Sequence, residues 1–528
     1  MRDTALIPGL TQLGSLVDAT LSHVIAITAS PAMSPHGPHV GAWGARSRDK
    51  GGAMAKVGAA GGLKRAEQIA DRIEQRIVEE DLRAGACLGT EAELTAQLGV
   101  SRAVLREALV LVASSGLARI RRNRGLVVEP PLRENAAAAL LAHLELLIDD
   151  VEEIWLLRAC IESLAVALAI FRASAIDLAD IEALIASVDR APTPTAVKDL
   201  TSDTTQRLVV AAHNSWLSGL SEALSRLTFI HTLRTTFDAS PPLSYAELAK
   251  LRQAQARAVI SADLRAALAA TDHIFKFFHS GPNIHYADAG QLDAATRRSQ
   301  PTQGGRWKLG QVLAEKLRQE IALQGLVEGS SMGAETELMK AHSVGRATLR
   351  EAIRILERLG RVKMVRGRGG GLIVTEPDPA RIARNILIHL RRMDVQRHET
   401  VEFASELSLC IAGAVCRMAD ADKKPLRELR TSFFNDRDRF SSGAMLRLMR
   451  KLSDAAGLRG FSLMIYLSES LLDVPDLPDT NDRSDEAKAI VDKLFDRIMQ
   501  GDEAGARTAV QRLNRTVLSS GNSPVLQG

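Results

Sequence analysis

Between residues 63 and 80 the apolar positions Ile69, Ile73 and Ile77 fall four apart, the spacing of one helix face. A Gly-bounded loop follows at Gly85–Gly89. Thr90 then precedes a short helical run whose first turn holds Glu91 and Glu93, an N-cap with acids at the positive helix end. That run ends near Leu98-Gly99, where glycine suits a left-handed C-terminal residue. Ser101 caps a further helix, Arg102 to Ser114, with Leu105, Leu109 and Val112 on its apolar face. Leu117–Ile120 and Leu126–Val128 read as short strands flanking the tight turn Arg121-Arg122-Asn123-Arg124-Gly125. The predicted unit is a helix-turn-helix with a β wing.

The same pattern returns 244 residues later without a gap. The segment from Glu91 to Leu109 recurs from Glu335 to Ile353. Upstream, Leu313, Leu317 and Ile321 repeat the first helix face. Downstream, Gly116 matches Gly360, and Arg122-Asn-Arg-Gly125 matches Arg366-Gly-Arg-Gly369, the second wing being longer by Gly370 and Gly371. Each copy is followed by roughly 140–150 residues of helical pattern.

This divides the chain into a low-order N-terminal extension over 1–62, a first head over 63–130 and a first helical body over 131–280. A linker follows over 281–305, then a second head over 306–376, a second body over 377–518 and a tail over 519–528. Met54, just ahead of the first ordered segment, is a candidate start codon. The expected fold class is mainly α: two winged helix-turn-helix domains, each followed by an all-helical effector or dimerisation-type domain.

At 528 residues, 46% hydrophobic and 25% charged, the chain has the composition of several globular domains. Aromatics at 4% favour aliphatic helix packing over an all-β fold. A net charge of +4 over this length decides nothing, so a nucleic-acid signal has to come from where charge sits. Between Ser101 and Gly125 there are six arginines and one acid, Glu107; between Lys340 and Arg368 there are nine Lys or Arg and two acids. Arg102 and Arg106 are one turn apart opposite the apolar face, where they can pair with guanine edges or clamp phosphates. Arg121, Arg122 and Arg124 tip a wing suited to the backbone or the minor groove. Arg346, Thr348, Arg350, Arg366 and Arg368 are the counterparts in the second copy.

In this order, E-x-E-L, G-V-S-R, L-R-E-A-L and an R-G wing, both heads resemble the GntR family of bacterial regulators. The resemblance implies DNA contacts from Ser101, Arg102, Arg106, Arg346 and Arg350, and wing contacts near Gly125 and Gly369. Ala92 and Thr336 depart from it where the family usually has an Arg on phosphate, and Gly345 replaces the serine that stands as Ser101 in the first copy.

The bodies resemble the all-helical effector domain of the FadR branch. That resemblance implies a divalent metal held by one Asp and three His beside a small carboxylate. The ligand positions fall on Thr201, Thr205, Arg252 and Ile274 in the first body, and on Met445, Met449, Val491 and Leu513 in the second. None of these can ligate a divalent ion as Asp and His do, so neither metal nor cofactor is expected. Asp203, His213 and His273 lie nearby and would approach the site only after a register slip. Arg158 and Glu162, at i,i+4, read as a structural pair.

Cys87, Cys160, Cys410 and Cys416 form no C-x-x-C pair and read as buried small hydrophobes. The longest apolar stretch, Ser163–Phe171, is too short to span a bilayer, so a cytoplasmic protein without membrane partners is expected. No phosphate-cradling loop or nucleophile–base constellation points to an enzyme; Gly367–Gly371 lies in a wing, not before a helix. The expectation is a DNA-binding transcriptional regulator, a repressor, with a double-stranded operator as partner and a small metabolite as effector. Its two heads act as a covalent pseudo-dimer, and further pairing into a homodimer stays open. The alternative is one active head, with a degenerate second unit used for protein–protein packing.

Overall fold

The computed structural model describes residues 65–122, 124–131, 133–148, 151–190, 194–234, 245–280, 309–365, 370–375, 379–393, 395–418, 423–435, 441–472 and 481–517. The expected N-terminal extension, linker and tail lie outside the described residues.

The first head comprises α1 (Arg65–Glu79), β1 (Cys87–Gly89), α2 (Glu91–Leu98), α3 (Arg102–Ser114), β2 (Ala118–Arg121) and β3 (Gly125–Val128). Ile69, Ile73 and Ile77 of α1 share a core with Leu105, Leu109 and Val112 of α3. The Thr90 hydroxyl accepts from the Glu93 amide while the Glu93 carboxylate accepts from the Thr90 amide, a complete capping box. Gly99 ends α2 in the left-handed region at φ 63°. The Ser101 hydroxyl accepts from the Val104 amide and starts α3. The sheet is antiparallel in the order β1-β3-β2, with Arg121 opposite Gly125 at the hairpin end.

The second head repeats this with α11 (Leu309–Leu323), α12 (Glu335–Ala341), α13 (Arg346–Arg358), β4 (Val362–Val365) and β5 (Gly371–Val374). Its caps are weaker. Ala334 replaces Thr90, so only half of the box remains, the Glu337 carboxylate on the Ala334 amide at 2.8 Å. Gly345 caps α13 without a side-chain bond. In place of β1, a single bridge joins Ser331 to Ile373.

Among the described residues each body has seven helices in the same order. The first has α4 (Arg133–Leu147), α5 (Val151–Arg172), α6 (Ala175–Arg190), α7 (Pro194–Ala211), α8 (Ser215–Arg234), α9 (Tyr245–Ile260) and α10 (Leu264–Ser280). The second has α14 (Pro379–Arg392), α15 (Arg397–Cys416), α16 (Lys424–Asn435), α17 (Ser442–Ala455), α18 (Arg459–Leu472), α19 (Asn481–Gln500) and α20 (Glu503–Val517). Within α5, residues Glu152–Arg172 are long and apolar enough to cross a membrane. The apolar stretch is thus longer than the sequence reading allowed. It carries Glu153 and Glu162, both buried and bonded to other helices, which identifies α5 as the central helix of the first body.

One hydrophobic cluster runs through both bodies, joining Leu157, Leu164 and Trp216 to Phe403, Leu407 and Phe461. The polar contacts across this seam are reciprocal. At the start of α5, the Glu153 carboxylate accepts from the Gly460 and Phe461 amides at 2.7 and 3.2 Å, capping α18. At the start of α15, the Glu399 carboxylate accepts from the Ser215 amide at 2.7 Å, capping α8. Anions at helix N-termini satisfy amides that have no partner inside the helix. The heads cross over as well: Ile388 of α14 packs on the first head's core, and Arg392 donates to the Glu129 carbonyl at 2.7 Å.

Candidate nucleic-acid interface

The N-terminal halves of α3 and α13 present equivalent arginines to solvent. Arg106 Nε donates to Glu91 Oε1 at 2.7 Å, and Arg350 Nε to Glu335 Oε1 at 2.9 Å. Both guanidiniums are more than half exposed, so the pairs contribute little stability. What they do is orient: the first Glu of each E-x-E-L motif holds Arg106 or Arg350 across the turn. Sequence reasoning gave these glutamates only a helix-dipole role, although the 15-residue spacing to the arginine recurs in both copies. Arg346 also approaches Glu335, at 3.6 Å, and Thr348 is half-buried on α13. Arg102 is exposed with no ion pair among the described residues, and exposed Ser101 serves as the cap described above.

In the first wing Arg121, Arg122 and Arg124 are exposed and line a concavity of about 460 Å³ beneath the hairpin. Arg121 is tied to Glu129 at 3.0 Å, and Arg119 approaches the same carboxylate at 3.6 Å. Cys87 is exposed beside the hairpin, its thiol donating to the Arg124 carbonyl at 2.6 Å, and so departs from the buried role expected of it. Gly125 has φ 76°, and a Cβ there would lie 2.1 Å from the Gly89 carbonyl oxygen. In the second wing the glycine in that close approach is Gly371, where a Cβ would lie 2.6 Å from the Gly333 oxygen. The equivalence drawn from sequence between Gly125 and Gly369 is therefore corrected by two residues: the insertion falls in the hairpin tip, before the glycine that closes it. Arg366, Arg368 and Gly369 themselves lie outside the described residues.

The two recognition helices touch. Arg354 of α13 reaches Glu107 of α3 at 2.9 Å, so the one acid in the basic stretch of the first head is used between heads. By helix rise, this contact keeps the N-termini of α3 and α13 within roughly 30 Å of each other.

Both heads match the sequence model described as "Bacterial regulatory proteins, gntR family", over residues 65–128 and 309–371. Both heads are gntR-family domains. Residues 153–277 match the FCD domain, which covers α5 to α10 of the first body. A protein named as an L-lactate dehydrogenase operon regulatory protein, from Escherichia coli (strain K12), is 44% identical over 62 residues, and one of the same name from Shigella flexneri matches equally. The match covers 12% of this chain and 24% of each relative. Among solved structures, Streptococcus agalactiae GntR is 20% identical, with 40% of this chain and 98% of that one covered, at TM-score 0.30. A GntR family member from Pseudomonas syringae pv. tomato is 23% identical, with 40% and 81% covered, at TM-score 0.17.

The positions where the FadR-type resemblance implies a metal do not fit one in this chain. In the first body Arg252 is fully buried and ion-paired to Glu162, which also accepts from Gln255 at 2.8 Å and Thr205 at 3.2 Å. A guanidinium occupies the space a cation would need. Ile274 is buried, and the side chain of Thr201 lies outside the described residues. Asp203, His213 and His273 are exposed, His213 bonding Asp177 at 3.0 Å. The direct pair expected between Arg158 and Glu162 is not made: Arg158 donates to Thr228 at 3.0 Å and stacks over Trp155. Burial draws the Arg158 guanidinium down to about 10, with Glu162 opposing and Arg252 reinforcing the shift. Burial pushes the Glu162 carboxyl up, but Arg252, Gln255 and Arg158 together hold it below its ordinary value. In the second body Met445, Met449, Val491 and Leu513 are all fully buried, an apolar core with no donor set.

Proposed function

We propose that the chain is a transcriptional repressor in the bacterial cytoplasm, one chain of which does the work of a dimer. Its two heads occupy the two halves of a single operator. The observation that carries this is the reciprocal capping across the seam, Glu153 on α18 and Glu399 on α8, which pairs the bodies as subunits would pair. The linker then makes the second head's binding intramolecular, at high effective concentration. The recognition-helix ends differ, Ser101-Arg-Ala-Val104 against Gly345-Arg-Ala-Thr348, so the operator is an imperfect palindrome with half-sites no more than about one turn apart. Base and phosphate contacts come from Ser101, Arg102 and Arg106 on α3, from Arg346, Thr348 and Arg350 on α13, and from the wings, Arg121, Arg122, Arg124 and Gly125 in the first, Arg366, Arg368 and Gly369 in the second. Light scattering of the protein alone and on its operator tests this. One chain per operator is expected; two chains on one short, symmetric site would overturn it.

We assign effector control to the first body. Arg252 Nε and Nη2 lack hydrogen-bond partners although the residue is fully buried, and they suit a small carboxylate. A thermal-shift screen of small carboxylates against wild type and Arg252→Met tests it; an equal response in both would remove the assignment.

A further inference from the structure

Cys160 lies on α5 of the first body and Cys410 on α15 of the second, 250 residues apart in sequence. The seam brings them together with Glu406, one turn before Cys410. The two sulfurs and a carboxylate oxygen all lie within 4.8 Å of one another. All three side chains are closed off from solvent, none more than 3% exposed. Neither oxygen of Glu406 has a hydrogen-bond partner, and neither does Nη1 of the nearby buried Arg507. Burial pushes the Glu406 carboxyl up to about 7, with Arg507 opposing, and burial likewise raises the Cys160 thiol. An unpartnered carboxylate facing two thiols in an apolar seam costs the folded state unless something neutralises it.

We propose that Cys160, Cys410 and Glu406 form a zinc site that stitches the two bodies together. Two thiolates and a carboxylate are a donor set suited to Zn²⁺. Around a tetrahedral zinc such donors stand about 3.5–3.8 Å apart, so the cluster closes with a shift of about 1 Å. Loading releases the two thiol protons, and that of the carboxyl where it is held, to solvent. Three anionic ligands and Zn²⁺ leave one net negative charge; buried Glu503 beside it makes two, balanced by Arg507 and Arg417, both of which pair with Glu503. The three protein ligands leave one coordination position for a water.

The test uses the full chain, purified under reducing conditions without chelator. Mass spectrometry is expected to find one zinc per chain, and zinc-edge X-ray absorption two sulfurs at about 2.3 Å with oxygen completing the shell. Cadmium added to the metal-free protein gives a thiolate charge-transfer band. That band is lost in Cys160→Ser and in Cys410→Ser, kept in Cys87→Ser, and weakened at least tenfold in affinity by Glu406→Gln. The absorption measurement needs only wild type, so a variant that fails to fold does not rescue the idea. A shell of nitrogen and oxygen alone, no thiolate band with cadmium in excess, undiminished binding by folded Cys160→Ser, or a Cys160–Cys410 disulfide in the reduced preparation would each overturn it.

Discussion

Trp216 of the first body stacks on Phe403 of the second, ring centroids 4.7 Å apart and planes 22° from parallel, while the Trp216 indole donates to the Thr400 hydroxyl at 3.1 Å. On the other side of the seam, Gly460 stands where the repeat would put Trp216. A Cβ on Gly460 would lie 2.5 Å from Ile148 Cδ1 and 3.0 Å from Leu157 Cδ1. The large residue on one side and the glycine on the other make the seam fit between unlike bodies. Trp216→Ala is expected to cost about 3–5 kcal/mol, and Gly460→Leu about 1–3 kcal/mol through overpacking. Urea denaturation of each variant measures both, and a Gly460→Leu protein as stable as wild type would contradict the packing described.

Under the proposed contacts, Arg102→Ala and Arg346→Ala should each weaken specific binding by about 1–3 kcal/mol, the expected loss of one base-reading donor pair. Arg122→Ala should weaken all sequences alike and lower the salt slope by about one. Fluorescence anisotropy over a salt series separates the two kinds of loss. If Arg346→Ala bound the operator as wild type while Arg102→Ala did not, the second unit would serve packing and the first head alone would read DNA.

Arg252→Ala would strand Glu162 as a buried, unpaired carboxylate, and about 3–5 kcal/mol of stability should go with it. The pair also sets an acid limit. The folded-state pKa of Glu162 is held below its unfolded value of about 4.3, so the pair's contribution is full above that pH and is lost as pH falls through the folded value. Unfolding followed from pH 7 to pH 3 should show stability falling below about pH 5, and less steeply in Glu162→Gln.

The second head lacks the side-chain caps of the first. Ala334→Thr should restore the capping box seen at Thr90 and stabilise that head by about 1 kcal/mol. Gly345→Ser should add only a few tenths of a kcal/mol, since glycine is itself a tolerable cap. Hydrogen exchange of the α12 and α13 amides reads these changes locally, and no slowing in Ala334→Thr would contradict the reading of that cap.

Gly125→Ala should disrupt the first wing, and Gly371→Ala the second. At both positions a Cβ would collide with a backbone carbonyl, and at Gly125 a positive φ adds strain, together about 1–3 kcal/mol. Operator affinity is expected to fall with little change in the melting of the bodies. A Gly371→Ala protein with unaltered affinity would mean that the second wing takes no part in binding.

The sequence by itself determined what is local. Ile69, Ile73 and Ile77, the Thr90 and Ser101 caps and the Gly99 turn fix the helix-turn-helix, because helix periodicity and capping act over four residues or fewer. The 244-residue repeat carried that reading to the second head. It also ran out there: a two-residue insertion hides whether Gly369 or Gly371 closes the wing, since only contact with the Gly333 carbonyl distinguishes them. Tertiary structure alone decided that Glu162 pairs with Arg252, on another helix, and not with its helical neighbour Arg158. It also decided that Glu107 meets Arg354, Trp216 meets Phe403, and Cys160 meets Cys410. These partners lie from 90 to 250 residues apart. No periodicity links them, because what joins them is the packing of one helix on another.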